Sequence, residues 1–180
     1  IGSITLNPYS GNAPPRLARL PKSKSILVNK GLKNKGTKKI ISQLKKQKYD
    51  IPIGISIAKT NCKENCNDKS AVKDYCASLE ICKKANVGDY YEINISCPNA
   101  FGGEAFTTPK KLNSLLAAID ELKIKPVFVK MPVDFTIKKT LALCKIADNH
   151  NIQGLIFGNL TKERNNPLFD KEEIFRAGKG

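Results

Sequence analysis

The chain has 180 residues, 41% of them hydrophobic and 26% charged, with a formal net charge of +15 and a pI of about 9.6. That length supports one domain with a real core, and the composition is that of an ordinary globular protein. No apolar run approaches the roughly 20 residues that a bilayer-spanning helix needs, and no signal peptide is legible.

The positive charge does not read as a nucleic-acid surface. Lysines such as Lys38, Lys39, Lys45, Lys46, Lys83, Lys84, Lys110, Lys111, Lys138 and Lys139 are spread over successive helical segments. Arginine is scarce, and no basic stripe alternates with aromatics on which bases could stack. Six cysteines without a secretion signal indicate a reducing compartment rather than a disulfide framework. Cys62 and Cys66 form a C-x3-C, but no second pair or histidine follows at zinc spacing, so no metal is expected. Cys76, Cys82 and Cys144 read as core fillers, and the single histidine, His150, as a helix-end cap or a solvent-facing side chain.

Taken in order, residues 1–5 read as a strand end passing into a turn. Residues 7–22, rich in Pro, Gly and Asn, form a long irregular excursion of the kind that is usually functional or flexible. A short apolar run, Ile26-Leu27-Val28, ends at Asn29. Ile40, Ile41 and Leu44 then fall on one face of a helix over about 37–48. Residues 51–57 are a strand, with Pro52 near its start where a missing N–H is tolerated. A loop over 60–69 leads to a helix over 70–86, for which Ser70 suits the N-cap.

The stretch Tyr91-Glu92-Ile93-Asn94-Ile95-Ser96-Cys97-Pro98-Asn99 holds the greatest concentration of chemistry. It begins as an aromatic and β-branched strand and breaks at Pro98 into a Gly-bearing loop. Asn94 and Asn99 each offer an amide donor and acceptor, with the Cys97 thiol between them. Such a surface suits a planar, amide-rich ligand with a proton acceptor in reach. The same residues also describe turn asparagines beside a packing cysteine.

Thr108-Pro109 opens a further helix carrying Leu112, Leu115, Leu116 and Ile119. Residues 125–130 form a strand ending on Lys130. A helix over 136–150 and a strand over 153–157 follow, ending at Gly158-Asn159, and the tail from Leu160 onward is mostly loop. Strand and helix alternate, which predicts parallel β/α architecture. Ser3, Asn29, Asn94 to Asn99, Lys130 and Asn159 all lie at C-terminal strand ends, the rim on which a β/α barrel builds its active site. No G-x-G-x-x-G is present to favour a doubly wound sheet. Because a complete eight-stranded barrel takes about 250 residues, the expectation is an incomplete (β/α)8 TIM barrel, lacking strands at both ends.

The residues then resemble dihydroorotate dehydrogenase, the flavin enzyme of pyrimidine synthesis, over essentially the whole chain. Gly2-Ser3-Ile4-Thr5, Gly11-Asn12 and Pro15-Arg16-Leu17-Ala18-Arg19-Leu20-Pro21 are similar to the opening run of the quinone-linked, class 2 branch. Val28-Asn29-Lys30-Gly31-Leu32 resembles that branch's N-R-x-G-F segment, and Asn94-Ile95-Ser96-Cys97-Pro98-Asn99 resembles the family's most specific signature. Val129-Lys130-Met131-Pro132-Val133-Asp134 is similar to its lysine-bearing strand.

The resemblance implies that residues 1–180 form one partial FMN- and dihydroorotate-binding domain. Gly2, Ser3, Asn94 and Lys130 would contact FMN. Asn29, Asn94, Asn99 and Asn159 would bind dihydroorotate or orotate, and Cys97 would be the catalytic base. The implied activity is oxidation of dihydroorotate to orotate in de novo UMP synthesis, with quinone as acceptor and fumarate or NAD through a second subunit as alternatives. The implied location is cytoplasmic, or peripheral on the inner face of the cell membrane through a missing N-terminus.

Departures from the class 2 pattern include Cys97 in place of serine, Ser56 in place of asparagine, Leu32 in place of phenylalanine and Gly158 in place of threonine. Residues 100–106 look more class 1-like, while Gly178 and Gly180 would approach the FMN phosphate region. Two other readings stay open: a flavin enzyme for another pyrimidine, of the dihydropyrimidine dehydrogenase or dihydrouridine synthase kind, and an inactive truncated half-barrel.

Overall fold

The computed structural model describes residues 1–65, 67–101 and 105–178. Cys66, residues 102–104 of the 100–106 loop, and Gly180 therefore lie outside the described residues. The elements in chain order are β1 (Leu17–Leu20), β2 (Ser25–Val28), α1 (Thr37–Leu44), β3 (Gly54–Ile57), α2 (Asp68–Ala85) and β4 (Tyr90–Asn94). Then follow α3 (Pro109–Asp120), β5 (Val127–Met131), α4 (Ile137–Ala147), β6 (Gly154–Phe157) and α5 (Lys171–Ala177).

A four-stranded parallel sheet in the order β3-β4-β5-β6 forms the centre, with successive strands joined by α2, α3 and α4. This is the parallel β/α architecture that the alternation predicted. Residues 1–4 run beside β3 in the same direction: Ser56 N–H donates to Ile1 O at 2.8 Å, and Ile4 N–H donates to Ser56 O at 2.8 Å.

Because side chains alternate across a strand, each strand contributes to two different surfaces. Ile55, Ile57, Tyr91, Ile93, Val127, Val129 and Met131 are buried in one apolar cluster with Tyr75, Leu79, Cys82, Leu112, Leu115, Leu116 and Leu143 from the helices. Burial of each such large apolar side chain stabilises the fold by roughly 1.5–3 kcal/mol before entropy is counted. The intervening residues share the opposite face. Ser56, Glu92, Phe128 and Gly154 are register neighbours across the sheet, as are Asn94, Lys130 and Ile156. The period-two pattern thus separates a dry helix-facing side from a polar side.

Several local expectations are corrected. The excursion over 7–22 contains β1, which pairs antiparallel with β2 through Leu17↔Val28 to Leu20↔Ser25. Its four residues are too short a run to stand out from flanking Pro and Lys. The helix expected from Ser70 starts at Asp68, because Asn67 is the N-cap and its side chain accepts from Ser70 N–H at 2.8 Å. Thr108 precedes Pro109 as expected, but its side chain makes no capping bond. The helix expected over 37–48 is regular only to Leu44.

His150 neither caps a helix nor faces water. Its ring lies 2.7 Å from Asp120 Oδ2 and 3.1 Å from Asn113 Oδ1, tying the end of α4 to α3. The tail is not all loop. Asp170 accepts from Glu173 N–H at 2.9 Å and starts α5, an N-terminal signal visible in the sequence but obscured by its exposed apolar residues. Glu173 in turn accepts from Lys22 N–H at 2.7 Å and Ser23 N–H at 2.9 Å, clasping the β1–β2 turn.

Candidate active site

The polar side of the sheet carries a continuous run of hydrogen bonds. Asn94, 6% exposed at the end of β4, donates from Nδ2 to Ser3 Oγ at 2.7 Å. The hydroxyls of Ser3 and Ser56 are 2.7 Å apart, and Ser56 donates to Glu92 Oε1 at 2.7 Å. On the other edge of Asn94, Oδ1 accepts from Ser96 N–H at 3.0 Å and Ser96 Oγ at 2.8 Å. Asn159, just after β6, donates to Ser96 O and to Ser96 Oγ, each at 2.6 Å. Strand ends that are far apart in sequence are thereby joined in one network.

A second cluster adjoins it. Asn12 donates from Nδ2 to Asn29 Oδ1 at 2.8 Å and to Asn99 O at 3.0 Å, while Asn99 donates to Val28 O at 2.8 Å. Gly31 makes this approach possible. Its φ is +64, and a Cβ there would lie 2.3 Å from Asn12 Oδ1. Asn61 braces the same region, donating to Gly31 O at 2.9 Å and accepting from Phe101 N–H at 2.5 Å. Lys59, only 6% exposed, donates to Phe101 O at 3.0 Å.

Cys97 lies between the clusters, half-buried, and shares a small recess with Asn94, Lys59, Tyr75 and Leu32. Tyr75 donates to Asn94 O at 2.8 Å from within the core, and burial pushes its hydroxyl well above the ordinary tyrosine range. Lys130 is half-buried beside Asn94 in the β4–β5 register. Among the described residues, no carboxylate forms an ion pair with its ammonium. Gly2, at φ +135, packs so closely that a Cβ would sit 2.5 Å from Ser56 O. A cavity of about 280 Å³ opens beside Asn99 and Asn159, between β1, β2 and the 159–164 segment.

Ser3, Asn94, Asn159, Asn29 and Asn99 therefore lie in two adjoining bonded clusters, with Cys97 and Lys130 next to them and Gly2 packed on Ser56. The sequence reading gave no site role to Asn12, Lys59, Asn61, Glu92 or Ser96, although Asn12 lay in the family-like opening run and Glu92 and Ser96 in the Tyr91–Asn99 stretch. For Glu92 and Ser96, strand alternation with Asn94 was an available signal, and for Asn12 its place in the family-like run was; for Asn61, an isolated loop position offered none. Among the described residues, no group of His, Cys, Asp and Glu gathers as metal ligands.

Residues 1–180 match the family described as dihydroorotate dehydrogenase. The chain belongs to the dihydroorotate dehydrogenase family. It is 34% identical over 180 residues to a dihydroorotate dehydrogenase (quinone) of Corynebacterium diphtheriae, covering 100% of this chain and 48% of that one. It is 30% identical over 164 residues to a protein of the same description from Haloarcula marismortui, covering 91% of this chain and 45% of that one. The chain spans about half the length of the curated relatives it matches.

A crystal structure of ligand-free DHODH from Eimeria tenella superposes with a TM-score of 0.83 at 23% identity, over 96% of this chain and 54% of that chain. At that identity the likeness concerns the fold, and it identifies the parallel sheet and its helices as part of a β/α barrel. Among the described residues, no helix is long and apolar enough to cross a membrane.

Proposed function

We propose that this chain carries the pyrimidine site and one face of the flavin site of an FMN-dependent dihydroorotate dehydrogenase. The observation that carries the reading is the convergence of Asn94, Ser3 and Asn159, through Ser96, on one hydrogen-bonded rim beside Asn29, Asn99 and Cys97. Family membership and relatives described as quinone-dependent support it.

The donor set suits FMN. Amides and hydroxyls match a ring edge rich in N–H and C=O groups, and the Lys130 ammonium supplies a cation for the charge of the reduced ring. In this reading Gly2 lets the chain lie close to the ring, while Ser3, Asn94 and Lys130 contact it. Held by these residues, FMN would supply the acceptor for the hydride leaving C6 of dihydroorotate.

The chain's own residues do the rest. Asn29, Asn94, Asn99 and Asn159 hold the pyrimidine ring and its carboxylate in a fixed orientation, which removes the entropic cost of aligning the reacting atoms. Cys97 takes the proton from C5. A thiolate forms more readily than an alkoxide, since a free thiol titrates at about 8.5, so a cysteine needs less assistance as base than the serine usual in class 2. The relatives' descriptions favour quinone as electron acceptor. The site is expected in the cytoplasm or on the inner membrane face, as part of de novo UMP synthesis.

The test is anaerobic mixing of the full-length gene product with dihydroorotate or dihydrouracil. Dihydroorotate should bleach the flavin and dihydrouracil should not, and the reverse preference would assign the protein to another pyrimidine. Cys97→Ala should lose bleaching at neutral pH while still binding orotate. Unchanged reduction in that variant would remove Cys97 from the mechanism.

A further inference from the structure

Glu92 has no part in the chemistry above, yet it stands at the end of the site's main hydrogen-bond chain. It is half-buried on β4, on the same face as Asn94 two residues later. A carboxylate can only accept. The single hydroxyl proton of Ser56 goes to Glu92 Oε1 at 2.7 Å. In the 2.7 Å contact between Ser56 and Ser3, the proton must therefore come from Ser3. With that proton committed, Ser3 Oγ can only accept, and it does so from Asn94 Nδ2 at 2.7 Å.

The direction is thus fixed from Asn94 to Ser3 to Ser56 to Glu92. At the other edge, the Ser96 backbone N–H fixes Asn94 Oδ1 in the same sense. A neutral group able to donate in place of Glu92 would leave the Ser3–Ser56 bond free to run either way.

We propose that Glu92 is a positioning residue that commits Ser3 to accept and holds Asn94 against it. The site then offers a bound ring an N–H from Asn94 and a lone pair, never a proton, from Ser3. The ligand feature this selects is a C=O beside an N–H in a planar ring, which a pyrimidine and a flavin both present. The identity of those ligands rests on the reading under Proposed function, whereas the hydrogen-bond direction does not.

The experiment uses the full-length gene product labelled with 15N-asparagine, with the Asn94 side-chain signal identified by its loss in Asn94→Ser. Exchange of its amide protons is measured without added ligand in wild type, Glu92→Gln, Ser56→Ala and the double variant. Each single change should speed exchange roughly tenfold, the scale of losing one hydrogen bond to a charged group, and the double should go no faster than either single. Unchanged exchange in both singles, or effects that multiply in the double, would overturn the proposal. Ser56→Ala alone decides it if Glu92→Gln does not fold.

Orotate affinity and FMN retention then distinguish the ligands. Orotate weakened roughly tenfold with full FMN content would put the pyrimidine on this edge, while lost FMN with unchanged orotate affinity would put the flavin there. A purely structural Glu92 would lower the melting temperature and move neither, which would overturn the proposed selection. A wild type that binds neither ligand, but whose exchange responds, would sink the dehydrogenase reading and leave the hydrogen-bond assignment standing.

Discussion

Asp74→Ala should destabilise the protein strongly although Asp74 is in α2 and touches no proposed ligand. Its carboxylate is 4% exposed. It accepts from Thr60 N–H at 2.8 Å, Thr60 Oγ1 at 2.7 Å and Asn65 Nδ2 at 2.9 Å. Thr60 Oγ1 in turn accepts from Asn7 N–H at 3.2 Å. The loop between β3 and α2, with Asn61 in it, is therefore anchored on one carboxylate. Taking each charge-assisted bond at the low value of roughly 1.5 kcal/mol gives a loss of about 4–5 kcal/mol for the alanine variant. At about 2–4 °C per kcal/mol for a chain of this size, the melting temperature should fall by about 10–15 °C. Asp74→Asn keeps one carbonyl acceptor and should lose about half as much. Thermal and urea unfolding of wild type and both variants measure this directly. An alanine variant melting within about 2 °C of wild type would refute the claim that this carboxylate holds the loop.

Three further outcomes follow from other residues. Gly31→Ala should disturb the Asn12–Asn29–Asn99 cluster, because φ is +64 and its Cβ would overlap Asn12 Oδ1, so orotate binding measured by titration should weaken at least tenfold. Burial pushes the Cys82 thiol from 9.0 up to about 12 and, with nearby Cys82 and Asp89, Tyr91 from 10.0 up to about 12. Both groups are raised acids, so their contribution is full below the unfolded values and is lost as pH rises towards 12. The unfolding free energy from urea titration should fall above pH 9 by roughly 1.4 kcal/mol per pH unit for each group in its window, and Cys82→Ala should remove its share of that slope. Desolvation opposes ionisation of Glu173, but bonds from Lys22, Ser23 and the Ser23 hydroxyl outweigh it and leave its carboxyl lowered. The clasp on the β1–β2 turn is therefore fully present above the ordinary glutamate range and lost as pH falls below it through the lowered value, and Glu173→Ala should speed proteolysis of that turn at neutral pH.

What the sequence made legible was whatever repeats along the chain. Short apolar runs such as those around Ile55-Ser56-Ile57 and Val127-Phe128-Val129 marked the strands. Leu112, Leu115, Leu116 and Ile119 marked α3 by helical spacing, and the alternation of the two periods predicted parallel architecture. Asn94 and Lys130 were visible because a polar residue at the end of an apolar strand breaks the pattern. β1 and α5 were not visible: each is short, β1 is held by pairing with β2 across the next turn, and α5 by its Glu173 bonds to the distant residues 22 and 23.

The polar site shows the same division at finer scale. A hydrophobic face announces itself because burial acts on many residues at once, whereas a hydrogen-bond network depends on single atoms meeting across the fold. Asn12 is a loop residue with no assigned role until Gly31 lets it reach Asn29 and Asn99. Glu92 is an acidic residue in an otherwise apolar strand, which a hydrophobic pattern scores as a blemish. Two bonds away, the same carboxylate commits the Ser3 proton to Ser56, so that towards Asn94 or a ligand Ser3 can only accept. Residues that set the polarity of a site need touch no ligand, so motif matching aimed at ligand contacts passes over them. Following each proton to the group that can only accept it finds them.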